Sequence, residues 1–253
     1  MSAFIRNLNF SWLDIMMVEH AHSTVSPLCS SVDLKKEVTF LWTFDDIASN
    51  PKLYVDQFPV VWKISTFGAK GPYSASLTYK NQWVSKQQHA AAIANFARLA
   101  FSRPQVSGDK ITNPGTHVPI NVGQRTILTA DAARTVSFST PEASANLTGG
   151  LLQAVNKTGE LQDIAIGFLK DGDTRPTPAL YFNDVGNTLD VTAQFTPILR
   201  LYTTSDYKES AILRGAIESE KAIWTHNLAE LKEDGPDFVI TREIDGSYKV
   251  TPA

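Results

Sequence analysis

Apolar and polar side chains alternate along parts of this chain with a period of two residues, and this pattern constrains the fold more than any other feature. Over residues 73–80 the odd-numbered side chains are apolar and the even-numbered ones are polar. Residues 191–201 repeat the alternation across Pro197. Such a pattern is typical of a strand with one buried face. Because proline donates no ladder hydrogen bond, we expect a bulge or a sheet edge at Pro197.

The residue types favour strands throughout the chain. Valine, isoleucine and threonine account for 56 of 253 residues, and their branched side chains fit a pleated surface. Turn signals separate the candidate strands at short intervals, without regular helices between them. The sequence therefore predicts an all-β fold, an antiparallel β-sandwich, with a barrel as the alternative. Besides the two segments above, the candidate strands are 37–44, 59–67, 124–129, 135–139, 164–170, 179–182, 211–217 and 222–225.

The C-terminus contains the clearest hairpin signal. Residues 238–244 and 247–251 flank the dipeptide Asp245-Gly246. This dipeptide suits the positive φ angles of a two-residue type I′ turn. We expect the two strands to pair antiparallel.

One segment differs in character from its surroundings. Residues 83–98 are rich in alanine and place apolar side chains at helical spacing. The two flanking segments, 79–82 and 99–102, each have the residue pattern of a β-strand, and joined together they would form one continuous strand. We predict a short helical or looped insertion that is exposed and contributes little to the core.

The sequence predicts two parts: an N-terminal arm over residues 1–35 and a single β-rich domain over residues 36–253. The N-terminus lacks the apolar run of a secretory signal, and no segment is long and apolar enough to span a membrane. The single cysteine, Cys29, suits a reducing compartment. We expect a cytoplasmic protein with no membrane partner. In it the sequons at Asn9, Asn146 and Asn156 serve turn and strand structure rather than glycosylation.

Charge and histidine content exclude some functions and leave others open. A net charge of −3 argues against a nucleic-acid partner, because phosphate binding needs a clustered cationic face. His20 and His22 can present two imidazoles to a metal, but their spacing matches no specific zinc signature. A polar arm that holds two histidines is the simpler interpretation. No phosphate loop, dinucleotide fingerprint or nucleophile elbow is present, so an enzyme is the minority interpretation.

The aromatic residues in or beside predicted strands suit a planar organic ligand, which stacking and apolar burial would hold. Core packing is the simpler interpretation for most of them. The loop 205–210, followed by Arg214, places acid, phenol and guanidinium groups near the end of a strand. A structural ion pair between Glu209 and Arg214 is the simpler interpretation there. The candidate ligand-binding residues are Trp62, Tyr79, Tyr202, Tyr207, Glu209 and Arg214, and no catalytic residue is assigned.

Three stretches carry a resemblance to a known family: residues 42–50, 61–68 and 191–215. They resemble a family of basidiomycete mushroom fruit-body proteins, most without an assigned activity, with which we group the pink chromoprotein of oyster mushrooms. The resemblance extends from about Trp42 to the C-terminus. It implies a non-enzymatic homodimer that binds a small planar aromatic chromophore, a pigment of indolone type. It assigns no individual contact residues.

This chain departs from the family pattern at residues 83–98. The family runs from the position of Gln82 directly to that of Leu99, so this chain has sixteen extra residues, equivalent to 48 nucleotides. The segment is therefore interpreted as a translated intron or as a genuine insertion. Transcript sequencing separates these two origins.

Three functions remain as predictions. The first is a chromoprotein that binds its ligand without converting it. The second is a carbohydrate-binding fruit-body lectin, for which Asn183-Asp184 and residues 205–207 supply suitable side chains. The third is a hydrolase with a triad assembled from distant positions. Visible absorbance, sugar-inhibited agglutination of erythrocytes and sensitivity to a serine-directed reagent distinguish them.

Overall fold

The computed structural model describes residues 4–13, 37–44, 56–67, 74–81, 98–148, 150–170, 172–194, 198–203, 207–214, 222–227, 237–243 and 246–252. For 4–13, 74–81, 194, 237, 239 and 241 it describes the backbone alone. Within these residues every regular element is a β-strand, which confirms the all-β prediction. The strands are β1 (Phe4–Leu13), β2 (Val38–Phe44), β3 (Gln57–Pro59), β4 (Val61–Phe67), β5 (Ser74–Asn81), β6 (Arg98–Ser102), β7 (Gln105–Ser107), β8 (Lys110–Asn113), β9 (His117–Ile120), β10 (Gln124–Ala130), β11 (Val136–Phe138), β12 (Glu142–Ala143), β13 (Leu151–Lys157), β14 (Gln162–Leu169), β15 (Thr177–Val185), β16 (Asp190–Gln194), β17 (Ile198–Thr203), β18 (Trp224–Asn227), β19 (Asp237–Arg242) and β20 (Tyr248–Pro252).

The strands form four sheets and one two-stranded ribbon. Sheet A has the order β20-β19-β1-β5, and sheet B has the order β18-β17-β2-β4. Sheet C has the order β3-β15-β14-β6-β9, sheet D has the order β11-β10-β13-β16 with β12 beside β10, and β7 pairs with β8. Each of these sheets ends in two edge strands, so none formed by the described strands closes into a barrel. Pairing is antiparallel except between β1 and β19 and between β10 and β13.

Aromatic side chains join the sheets face to face. Phe40 of sheet B meets Tyr248 of sheet A, with ring centroids 5.7 Å apart. On the same face of β2, Phe44 lies 5.1 Å from Phe168 of sheet C. Edge-to-face and tilted ring pairs of this kind add to the apolar burial that drives folding. The large core therefore lies between sheets, as the sandwich prediction requires.

The alternation in residues 191–201 correctly identifies the buried face but not the course of the strand. Val191, Ala193, Leu199 and Leu201 are all buried. However, β16 belongs to sheet D and β17 to sheet B, so the predicted strand is two strands in two sheets. β16 ends at Gln194 and is the edge strand of sheet D, and β17 begins at Ile198, whereas Pro197 itself lies outside the described residues, so the bulge or edge predicted there stays a prediction.

The N-terminal segment is more ordered than the predicted arm. Residues 4–13 form β1, which pairs with both β5 and β19 and so joins the first strand to the C-terminal hairpin. The described part of the arm therefore belongs to a sheet, because its backbone completes the hydrogen bonding of two neighbours. The domain boundary at residue 35 stays a prediction.

The flanks of the predicted insertion do not form one strand. β5 lies in sheet A, whereas β6 pairs with β14 and β9 in sheet C. Arg98, the last residue of the predicted insertion, begins β6 and is exposed. Residues 83–97 lie outside the described part of the chain, so the prediction of a helix or loop there stays a prediction.

Two further predictions need correction. Residues 211–217 are not a strand in their described part, because Ala211 and Ile212 make only isolated bridges.

The C-terminal hairpin pairs antiparallel as expected, but its connection is longer than the predicted two-residue turn. Glu243 N donates to Ser247 O at 2.8 Å and Gly246 N donates to Glu243 O at 2.9 Å. Gly246 has a φ of 88°, and the paired strands end at Arg242 and begin again at Tyr248, so more than two residues separate them.

Candidate functional site

Residues 207–214, which we call the bridging segment, join sheet B, sheet C and the β7–β8 ribbon. Ser210 N donates to Val61 O at 2.9 Å, and Val61 N donates to Ala211 O at 2.8 Å. On the other side, Ile111 N donates to Ser210 O at 3.0 Å. Ser210 takes a φ of 67°, an uncommon conformation that lets the segment turn between its two partners. The segment is therefore held by backbone bonds on both sides.

This anchoring positions Arg214, the last described residue of the segment. Leu213 N donates to Pro59 O and Ile212 N donates to Asp109 O. The Arg214 guanidinium carbon lies 5.6 Å from the ring centroid of Phe58 and 5.8 Å from that of Tyr181. Both rings belong to a small apolar cluster under the segment, in which Tyr181 is 1% exposed. A guanidinium at this distance from aromatic rings makes a favourable cation–π contact.

Carboxylate and amide groups surround the guanidinium. Arg214 Nε donates to Asp109 Oδ1 at 2.7 Å, and the two side chains are 39% and 69% exposed. The Tyr181 hydroxyl donates to Asn183 Oδ1 at 3.0 Å. Asp163 lies beside Tyr181, and its Oδ1 accepts from Asp184 N at 3.1 Å. We define the Arg214 cluster as Phe58, Asp109, Asp163, Tyr181, Asn183 and Arg214.

Burial sets the protonation of the phenol in this cluster. It raises the pKa of Tyr181 well above its ordinary value, and the neighbouring Asp163 raises that pKa further, while Arg214 opposes both. Partial burial alone would lower the pKa of Arg214, but Asp109 and Tyr181 outweigh it, so that pKa is raised. At neutral pH the phenol of Tyr181 is therefore neutral and the guanidinium of Arg214 is charged.

The structure separates the two polar residues that the sequence pairs. Arg214 bonds Asp109 and not Glu209, which corrects the predicted ion pair. Glu209 Oε1 instead accepts from Ile64 N at 3.1 Å. Tyr207, in the same segment, is 36% exposed. The phenol beside Arg214 is Tyr181, which comes from a different strand.

Two of the other aromatic candidates, Trp62 and Tyr202, lie in different clusters. Trp62 packs on the large core, with its ring centroid 5.2 Å from that of Phe44. Tyr202 is 4% exposed and belongs to a separate small cluster with Leu41 and Leu213. The side chain of Tyr79 lies outside the described residues. Core packing accounts for the rings of Trp62 and Tyr202.

Sequence reasoning missed Phe58, Asp109 and Asp163 and did not assign Tyr181 to a site. The acid, phenol and guanidinium combination that it predicts within one loop is assembled instead from sheet C, the ribbon and the bridging segment. Asp109 and Arg214 are 105 residues apart in the chain. Asn183 is the one member of the cluster besides Arg214 that the sequence analysis named for a site, as a polar pair with Asp184.

The described residues contain neither a metal-binding group nor a membrane-spanning helix. Among the described residues, no group of three or more His, Cys, Asp or Glu side chains is placed to hold a metal ion. His20 and His22 lie outside those residues, so their metal site stays a prediction. The described part also contains no helix of the length and apolar character needed to cross a membrane.

Comparisons of the chain with protein-family models, with curated proteins and with solved structures find no match.

Proposed function

We propose that the protein binds a small planar aromatic ligand without converting it, and that the Arg214 cluster is the place where it binds. The observation that carries this proposal is the position of Arg214. Its guanidinium lies over the rings of Phe58 and Tyr181, and its side chain is nevertheless 39% exposed. A guanidinium plane that lies on aromatic rings on one side can stack a planar ligand on the other.

The polar groups of the cluster select among planar ligands. Arg214 supplies donors, whereas Asp109 and Asp163 supply acceptors. An indolone carries a lactam N–H donor and a carbonyl acceptor on one flat ring system, so it can use both kinds of group. Hydrogen bonds in which one partner is charged are stronger than neutral ones. The cluster therefore suits a chromophore of indolone type, as the resemblance to the mushroom family implies.

The charge of the cluster favours a neutral ligand over an anion. Two carboxylates, Asp109 and Asp163, flank a single guanidinium, and Asp184 adds a further negative charge next to Asp163. An anionic ligand would meet like charges at short range, which disfavours binding. We therefore expect a neutral planar molecule rather than an aromatic acid.

The experiment is a titration of the protein with isatin, a neutral indolone, followed by quenching of tryptophan fluorescence. N-methylisatin, which lacks the lactam donor, and isatin-5-sulfonate, which is anionic, are expected to bind at least about tenfold more weakly, a difference of about 1.4 kcal/mol. Equal affinity for all three molecules would contradict the proposed chemistry.

Variants of Arg214 locate the binding. Arg214→Lys keeps the charge but loses the planar group, and Arg214→Gln loses the charge, so each is expected to weaken isatin binding about tenfold. Arg125→Lys, an exposed arginine on β10, is the matched control and is expected to leave binding unchanged. Binding that survives both Arg214 variants would move the site elsewhere.

Two other expectations belong to the same proposal. We propose that the protein is cytoplasmic and homodimeric. Fractionation of native tissue measures the first property, and native mass spectrometry measures the second.

The lectin and the hydrolase remain outcomes of the test. Sugar-inhibited agglutination by a colourless protein would support the lectin, and activity lost to a serine-directed reagent would support the hydrolase.

A further inference from the structure

Asn156, the acceptor asparagine of the sequon Asn156-Lys157-Thr158, lies inside the protein. It follows Leu152 and Ala154 on the inward face of β13, and all three residues are 0% exposed. An asparagine at a core position is stable only when its amide is fully hydrogen-bonded.

Both halves of the Asn156 amide are occupied. The nitrogen Nδ2 donates to Glu160 O at 2.7 Å and to Val185 O at 2.8 Å, which uses both of its hydrogens. The oxygen Oδ1 accepts from Thr158 N at 3.0 Å and from the Thr158 hydroxyl at 2.8 Å. Asn156 therefore fixes the connection that follows β13 to the end of β15.

An N-linked glycan is attached through this same Nδ2 atom. Attachment replaces one amide hydrogen, so either the bond to Val185 O or the bond to Glu160 O, which also accepts from the Thr158 hydroxyl, would be lost. The sugar would also have to occupy buried space, whereas N-linked sugars lie on protein surfaces. The native arrangement of Asn156 thus has no room for the modification that its sequon permits.

The second sequon with described side chains has the opposite environment. Asn146 and Thr148 are both exposed, in the connection between β12 and β13. A glycan there would meet solvent and would disturb none of the bonds around Asn156. The two sequons therefore form an internal comparison within one chain.

We propose that the native fold and a glycan on Asn156 are mutually exclusive, and that the chain folds in a compartment without the N-glycosylation machinery. Passage through such a compartment would modify the nascent chain at Asn156 before β14 and β15 close around it. The glycosylated chain would then be unable to bury β13. This inference is independent of the ligand proposed above.

The test directs the chain through the secretory pathway of yeast with an added signal sequence. Secreted, protease-resistant protein and retained, protease-sensitive protein are separated, and glycan occupancy at Asn146 and Asn156 is measured by mass spectrometry. We expect Asn146 glycans in both fractions and Asn156 glycans in the retained fraction alone. A secreted, protease-resistant chain with a glycan on Asn156 would overturn the proposal.

Two substitutions sharpen the result. Thr158→Val removes the sequon at Asn156 together with the bond from the Thr158 hydroxyl to Asn156 Oδ1, so its secreted yield is compared with its own yield of folded protein in the bacterial cytoplasm. Relative to that reference the yield is expected to rise severalfold, whereas Thr148→Val removes the exposed sequon and is expected not to raise it. Equal yields from both variants would count against the proposal. Expression of both variants in the bacterial cytoplasm checks that each one folds without glycosylation.

A third variant covers the case in which Asn156 is unmodified in every fraction. Gly167→Ala is expected to keep the chain unfolded, because a Cβ at Gly167 would lie 2.1 Å from Thr177 O. Asn156 should then be glycosylated in this variant while it stays bare in the folded wild type. If it remains bare in Gly167→Ala as well, the fold is not what protects it, and the proposal fails.

Discussion

The Asn156 site and the Arg214 cluster are both polar, yet they differ in what they leave accessible. Asn156 is fully buried, and its amide makes four hydrogen bonds within the protein. Arg214 keeps 39% of its side chain exposed above two rings. Polar groups buried in this way hold a fold together, whereas polar groups fixed on a rigid surface can meet a ligand. The difference separates a structural role from a binding role.

The largest expected effect tests the structural side of this comparison. Asn156→Leu removes the side-chain partner of Val185 O and of Thr158 N, and it removes one of the two side-chain donors to Glu160 O, the other being the Thr158 hydroxyl, so we expect the free energy of unfolding to fall by about 4 kcal/mol. Asn146→Leu, at an exposed position, is the control and should change it by less than about 0.5 kcal/mol. Urea unfolding measures both. Similar losses in the two variants would mean that the Asn156 bonds do not stabilise the fold.

Tyr181 tests the buried part of the Arg214 cluster through pH. Its pKa in the folded protein is raised, so above about pH 10 the unfolded chain loses the phenolic proton first and is stabilised relative to the native state. Its contribution to stability is thus complete below pH 10 and is lost as the pH rises, by about 1.4 kcal/mol at pH 11. Tyr181→Phe should remove this part of the alkaline decline. Parallel pH profiles for the two proteins would contradict the assignment.

Arg214 is expected to matter less for stability than for binding. Arg214→Gln loses an exposed ion pair and a cation–π contact, so the free energy of unfolding should fall by about 1 kcal/mol or less. Urea unfolding and isatin titration of the same preparation measure both properties. A fall in stability as large as that of Asn156→Leu would make Arg214 structural and erase the distinction between the two sites.

Glu209 is expected to give the smallest change. Glu209→Gln keeps an oxygen that can accept from Ile64 N, so stability should change by less than about 0.5 kcal/mol and isatin binding should be unaffected. Thermal unfolding and the fluorescence titration check this expectation. A tenfold loss of binding would restore Glu209 as a ligand contact.

Sequence reasoning succeeds here where the physical signal is local. The alternation of 191–201 identifies the buried residues correctly, because strand periodicity depends on neighbouring side chains alone. It does not predict that β16 and β17 lie in different sheets, since that depends on which distant strands pair. β13 was not predicted, and neither was the burial of Asn156, whose partners lie on the connection after β13 and at the end of β15. The Arg214 cluster shows the same limit, because Asp109 approaches Arg214 only after the ribbon and the bridging segment pack together.

The central claim, that the chain carries a small planar ligand at the Arg214 cluster, is tested most directly by native mass spectrometry of protein purified from its own tissue, combined with its absorption spectrum. We predict a non-covalent small molecule that absorbs visible light, leaves on denaturation and rebinds the recombinant wild type but not Arg214→Gln. A bare chain that absorbs only in the aromatic band would contradict the account, as would a ligand that rebinds the wild type and Arg214→Gln equally well.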